Sequence, residues 1–186
     1  SDGDAVVEVI NRISCEFDLV VATQDWHPAR HKSFASQHAG HAIGEVVELN
    51  GLSQVLWPDH CIQGQRGAAF AESLDLRAAE AIFRKGTDPE IDSYSGFFDN
   101  GQRKSTGLAD YLRGKGAKKL WIAGLATDYC VKFTVLDGLG EGFAVSLVED
   151  GCRAVNLSPE DAQTAIAEMR AAGARIVTSN VVDPQD

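Results

Sequence analysis

Apolar positions in DAVVEVINRIS, residues 4–14, recur at helical spacing and predict a helix with Asp4 as its N-cap. DLVVATQ, residues 18–24, is a short β-branched run of the kind that forms a buried strand. Residues 26–67 show neither period and read as irregular, rich in His, Gly and Pro. AAEAIFRKG, residues 78–86, reads as a helix end passing into a short strand stopped by Gly86. A second irregular stretch spans 86–104. TGLADYLRGKG is an amphipathic helix closed by glycine, and KKLWIAGLA, residues 118–126, is a strand. A helix is predicted over 128–141. FAVSLVED is a strand, SPEDAQTAIAEMRAAG a helix with Ser158 as N-cap and Pro159 at its first position, and ARIVTS a last strand.

Alternating β and α units predict an α/β fold, a parallel sheet with helices on both faces. Ligand sites in such folds lie outside the carboxyl ends of the strands. The polar residues that follow strands here are Asp25 and His27, Lys85, and the ATDYC segment that ends at Cys130. The unusual residues of the chain therefore share one edge of the sheet.

The 186 residues suit one domain, taken as 1–186, with apolar residues at 44 % and charged ones at 24 %. The formal charge of −10 repels phosphate backbones, which sets nucleic acid aside as a partner. No apolar run approaches the roughly 20 residues that span a bilayer, and no signal peptide is visible. The four cysteines lack paired spacing, so reduced thiols in a cytoplasmic protein are expected.

Cys130 follows Thr127 and Asp128, both good N-cap residues, which predicts a place in the first turn of a helix. Unpaired N–H groups there stabilise a thiolate and hold an oxyanion. On spacing alone Cys130 reads equally as a small buried hydrophobe. Lys85 at a strand end is able to stabilise a thiolate, but on sequence alone it reads rather as a lysine that snorkels to solvent. Asp25 and His27 lie two apart, so both side chains point the same way in extended chain. With a distant imidazole they form a divalent-metal site, and the candidates are His31, His38, His41 and His60. All five histidines fall between 27 and 60. Trp26, Trp57, Tyr94, Phe97 and Phe98 lie in the irregular segments, where aromatics line a ring pocket or pack under loops.

QDWHPARHKSFASQH, LWPDHC, RKGTDPEIDSYSGFFDN and GLATDYCVKFTVLDGLGEGF, taken in order, resemble the nicotinamidases of the isochorismatase-like hydrolase family. The resemblance covers residues 2–180 or so. It implies a three-layer α/β/α fold with an open parallel sheet. It implies hydrolysis of nicotinamide, and of pyrazinamide, in pyridine-nucleotide salvage, through an Asp–Lys–Cys triad and a cysteine thioester. By resemblance Cys130 is the nucleophile and Lys85 the triad lysine. Asp25, His27 and His60 match metal ligands, with zinc foremost and iron or manganese as other occupants. A cis peptide falls at Leu125–Ala126, the N–H groups of Ala126 and Cys130 form the oxyanion hole, and Trp57 and Tyr94 stand near the pyridine ring. The partner implied is a small molecule, with a homodimer left open.

One departure stands out. The triad aspartate of the resemblance belongs to a first strand, whereas this chain opens at SDGDAVVEVI. The expectation is a sequence that starts just after that strand, and weak amidase activity for the chain as it stands. The rival readings are another amidohydrolase of the same fold and a non-catalytic domain that keeps the ligand and metal pocket.

Overall fold

The computed structural model describes residues 2–182. Its helices are α1 (Ala5–Ser14), α2 (Leu108–Gly114), α3 (Lys132–Gly140) and α4 (Asp161–Ala171). Its strands are β1 (Val20–Asp25), β2 (Val46–Leu49), β3 (Leu52–Val55), β4 (Ala79–Lys85), β5 (Lys119–Leu125), β6 (Ala144–Arg153) and β7 (Arg175–Val177). The α/β alternation is as the sequence predicts, and β1–β4, β5–β6 and β6–β7 all pair in parallel.

β6 organises the core. Val145 and Leu147 point to one face and join Leu108, Leu112, Val135 and Met169 from α2, α3 and α4 in one apolar cluster. Ser146 and Val148, also buried, point to the opposite face by strand alternation. α1 packs against β5 and β6 and buries Val6, Val7 and Ile13. Helices thus cover both faces, the layering that parallel sheets require.

Several local expectations need correction. The sheet is in two hydrogen-bonded pieces, β1–β4 and β5–β6–β7, and no described strand joins them. β1, β4 and β5 are accordingly only half-buried, with Ile82 and Leu125 about half exposed. AAEAIFRKG contains no helix end, since β4 already runs from Ala79 to Lys85. Asp4 occupies the N-cap position of α1 in helical geometry and makes no side-chain cap. α4 begins at Asp161, after the predicted start, because Ser158 donates its N–H to the Asp161 carboxylate at 2.7 Å and forms a turn ahead of the helix.

The irregular stretch 26–67 conceals an antiparallel hairpin, β2–β3. Asn50 and Gly51 both have positive φ, 52° and 80°, the backbone that a two-residue primed turn demands. Gln54 of β3 is buried and points inward toward the site. Among the described residues no helix is long and apolar enough to cross a membrane.

Leu147 is fully buried in the apolar cluster that β6 shares with α2, α3 and α4. Leu147→Ala is expected to lower the unfolding free energy by about 2–5 kcal/mol, read as a shift of the urea midpoint at unchanged slope.

Candidate active site and metal centre

The parallel register of β1 and β4 sets Asp25 opposite Lys85, so the two side chains leave the sheet at the same edge. Lys85 is buried and its ammonium has three neighbours. It forms an ion pair with Asp25 Oδ1, donates to the Ser93 carbonyl at 2.8 Å, and donates to Cys130 Sγ at 3.3 Å. An ammonium so placed keeps its proton: burial opposes the charge, but Asp25, Cys130 and the hydrogen bonds push the pKa up. The Asp25 carboxyl, destabilised as an anion by burial, is nevertheless lowered overall by Lys85.

Cys130 reaches this edge through a turn that differs from the prediction. The peptide bond Leu125–Ala126 is cis, and Thr127–Val131 form a single π-helical turn ahead of α3. The Ala126 carbonyl accepts from the N–H groups of Tyr129 and Val131, at 3.1 and 3.0 Å, which folds Ala126 back toward Cys130. Neither Thr127 nor Asp128 caps the turn with its side chain. The Asp128 carboxylate instead accepts from Val155 and Asn156 N–H at 3.0 and 2.8 Å, tying the turn to the end of β6. The Cys130 thiol is not activated as the first-turn argument predicts. Burial raises its pKa, and the Lys85 ammonium offsets this only in part.

His27 is held beside this pair. Its N–H donates to the Cys61 carbonyl at 2.9 Å and its carbonyl accepts from Gln63 N–H at 2.9 Å, so residues 61–63 run alongside it as a short parallel bridge. That bridge delivers His60. The rings of His27 and His60 lie 4.8 Å apart, those of His27 and His31 4.5 Å apart. All three lean on Phe34, a fully buried ring 5.5–5.6 Å from each. The Nδ1 atoms are occupied: His27 with the Gly86 carbonyl at 3.0 Å, His60 with the Pro58 carbonyl at 2.8 Å, His31 with Ser33 Oγ at 2.7 Å. Donation of Nδ1–H by His27 and His60 leaves Nε2 as a lone pair, the arrangement that metal-bound imidazoles use, whereas His31 Nδ1 also accepts the Ser33 N–H at 3.2 Å. Gly86 has φ of +64°, and a Cβ there would collide with the His27 ring, so this approach requires glycine.

Two groups of side chains are spaced to hold a divalent ion: Asp25, His27 and His60, and the fully buried trio His27, His31 and Asp92. Within each, the ligand atoms lie within 4.8 Å of one another. His31 Nε2 is buried without a hydrogen-bond partner. The N/O donor set suits zinc, iron or manganese. His31, undecided in the sequence, thus joins the cluster. His38 and His41 do not: they bond to the Lys32 carbonyl and to Glu45.

Trp57, Tyr94 and Tyr129 form an aromatic wall. Trp57 Nε1–H and Gln54 Nε2–H both donate to the Tyr94 hydroxyl at 3.1 Å, and Tyr129 packs edge-on against both rings. Tyr129 went unread although it adjoins Cys130. Phe97 packs in the core against Phe143, Phe98 packs at the core's margin, and Trp26 is stacked under Arg84 at 3.8 Å. A cavity of about 300 Å³ adjoins Tyr94 and Tyr129, lined also by Phe133 and Lys132, but neither Cys130 nor Lys85 borders it.

The isochorismatase domain family matches residues 6–181. The chain is 50 % identical over 181 residues to the nicotinamidase of Escherichia coli (strain K12), covering 95 % of this chain and 84 % of that protein. A solved nicotinamidase/pyrazinamidase of Acinetobacter baumanii superposes with a TM-score of 0.94 at 40 % identity, over 97 % of this chain and 86 % of that one. A pyrazinamidase of Pyrococcus horikoshii, solved in complex with zinc, superposes at 0.77 and 36 % identity, over 96 % and 87 %.

Burial holds the His27 imidazole neutral, its pKa lowered from 6.5 to about 4, and lowers that of His31 as well. Below pH 6.5 the unfolded chain therefore binds protons that the folded chain refuses, so stability falls with pH until about 4. In the presence of a chelator the urea midpoint is expected to drop between pH 7 and pH 4.5, and His27→Gln is expected to flatten that drop.

Proposed function

This chain belongs to the isochorismatase family, and we propose that it is an amidohydrolase converting nicotinamide to nicotinate and ammonia, with pyrazinamide as a second substrate. The observation that carries this reading is the contact of the Lys85 ammonium with both Cys130 Sγ and Asp25, beside a histidine cluster and an aromatic wall. Identity of 50 % to a nicotinamidase supports the substrate.

In this reading Cys130 attacks the carboxamide carbon. The resting thiol is protonated, so the Lys85 ammonium, which cannot itself act as the base, stabilises the thiolate as it forms. The N–H groups of Ala126 and Cys130 receive the carbonyl oxygen as its charge develops. The thiol proton passes to the amide nitrogen, which leaves as ammonia, and the carbon remains on sulfur as a thioester. Water then hydrolyses the thioester, releases nicotinate and restores the thiol. Trp57 and Tyr94 hold the flat ring, and their mutual hydrogen bond keeps the wall rigid without substrate.

The metal would be held by Asp25, His27 and His60, and zinc is the occupant we favour. When bound, it supplies a Lewis acid for the ring nitrogen or for a water. Asp25 has two roles in this account, since the carboxylate set against Lys85 is also a metal ligand.

Cys130→Ala is expected to abolish ammonia release from nicotinamide, by at least about 10³-fold, while isothermal titration still detects nicotinamide binding. Ammonia release by the alanine variant at a rate near that of the parent chain would overturn the assignment.

A further inference from the structure

Asp92 enters the site so far only through its spacing to His27 and His31. It lies in the loop after β4, it is 3 % exposed, and its sequence surroundings give no hint of chemistry. Its carboxylate is held from two sides. Oδ1 accepts from the Ser93 N–H at 2.8 Å, and Oδ2 accepts from Gln54 Nε2 at 3.2 Å. Gln54 comes from β3, is 2 % exposed, and also donates toward the Val55 carbonyl and the Tyr94 hydroxyl. The hairpin that the sequence conceals therefore fixes a buried carboxylate.

The direction in which that carboxylate faces is informative. One of its oxygens lies within 4.8 Å of ligand nitrogens of both His27 and His31, and the His31 Nε2 beside it has no partner. Its negative charge acts on both imidazoles and on the Lys85 ammonium. No ion pair joins it to any lysine or arginine among the described residues, whereas Asp25 is already matched by Lys85. A buried carboxylate without a counter-ion is costly. A dication among neutral imidazoles is favoured by a further negative charge, since Asp25 is shared with Lys85. The two deficits lie at one place and cancel each other.

We propose that Asp92 is an acidic member of the divalent-cation centre, closing the buried His27–His31 side, and that Gln54 is the positioning residue that holds it there. The inference rests on the reading that the histidine cluster binds a divalent ion. It adds a second carboxylate to that site and couples the site to the Tyr94 wall through one amide.

The test is zinc affinity, measured by competition with a chromophoric chelator on protein stripped of metal, beside the melting temperature with and without zinc. Asp92→Asn keeps the shape and an acceptor for Gln54 while removing the charge. It is expected to weaken zinc binding about tenfold or more, and to shrink the zinc-induced rise in melting temperature correspondingly. Gln54→Leu, which leaves the carboxylate but frees it, is expected to show a smaller loss of the same kind. Zinc affinity within twofold of the parent in the Asp92→Asn protein overturns the proposal. So does a lowered melting temperature of that variant without metal at unchanged affinity, which would make Asp92 a structural residue only. If Asp92→Asn does not fold, unchanged affinity in Gln54→Leu overturns it instead. His27→Ala separates the two levels. If the parent binds zinc, His27→Ala does not and Asp92→Asn does, the metal site stands and Asp92 is excluded from it. If the parent binds no zinc or manganese at all, the metal reading itself fails and the proposal with it.

Discussion

A single buried ammonium ties this site together. Lys85 leaves β4 at the point where its register partner on β1 is Asp25, and the two charges meet at the sheet edge. Taking both out of water is costly, and the cost is met only because the ammonium has its full set of neighbours: a carboxylate, a carbonyl and a sulfur. Deleting one partner of such a pair leaves an uncompensated charge, typically about 3–5 kcal/mol. The same three contacts define the chemistry. They place a permanent positive charge against the sulfur that would carry the negative charge of the nucleophile.

Everything around Lys85 serves to converge on it. The cis peptide and the π-helical turn deliver Cys130 from β5, and Asp128 anchors that turn to the end of β6. Thr134 fastens α3 to the loop after β4: its hydroxyl donates to the Cys130 carbonyl at 2.6 Å and accepts from Gly96 N–H at 2.9 Å. The histidines arrive separately, on segments 27–31 and 57–63, and meet because those segments pair and because Phe34 gives their rings a common apolar floor. Cys130 and the histidine cluster thus come from different parts of the chain, and Asp25 adjoins both.

The parts of this arrangement that were legible in the sequence follow rules of position. Parallel strands carry function at their carboxyl ends, so Asp25, Lys85 and Cys130 could be picked out before any fold was known. What stayed hidden depends on non-local burial. Phe34, Asp92 and Gln54 lie in or beside segments without periodicity, and nothing in their neighbours says that they are inside. His31 could not be told from His38 and His41, because only the turn at Pro28 and the Phe34 floor bring it inward. Two omissions had a signal. The Asn50–Gly51 pair between apolar runs announces a hairpin, and Tyr129 sits beside Cys130. The Cys130 pKa went the other way from the prediction because the first-turn argument weighed the helix terminus and left out desolvation.

The central claim is that the sulfur of Cys130, steadied by Lys85, carries the acyl group during turnover. Rapid acid quench of the protein mixed with nicotinamide, followed by intact-mass and peptide mass spectrometry, tests it directly. The account predicts a nicotinoyl adduct confined to the peptide that contains Cys130, absent from those with Cys15, Cys61 and Cys152, and decaying as nicotinate appears. Ammonia release with no acylated cysteine at any time, or with the adduct on another residue, would contradict it.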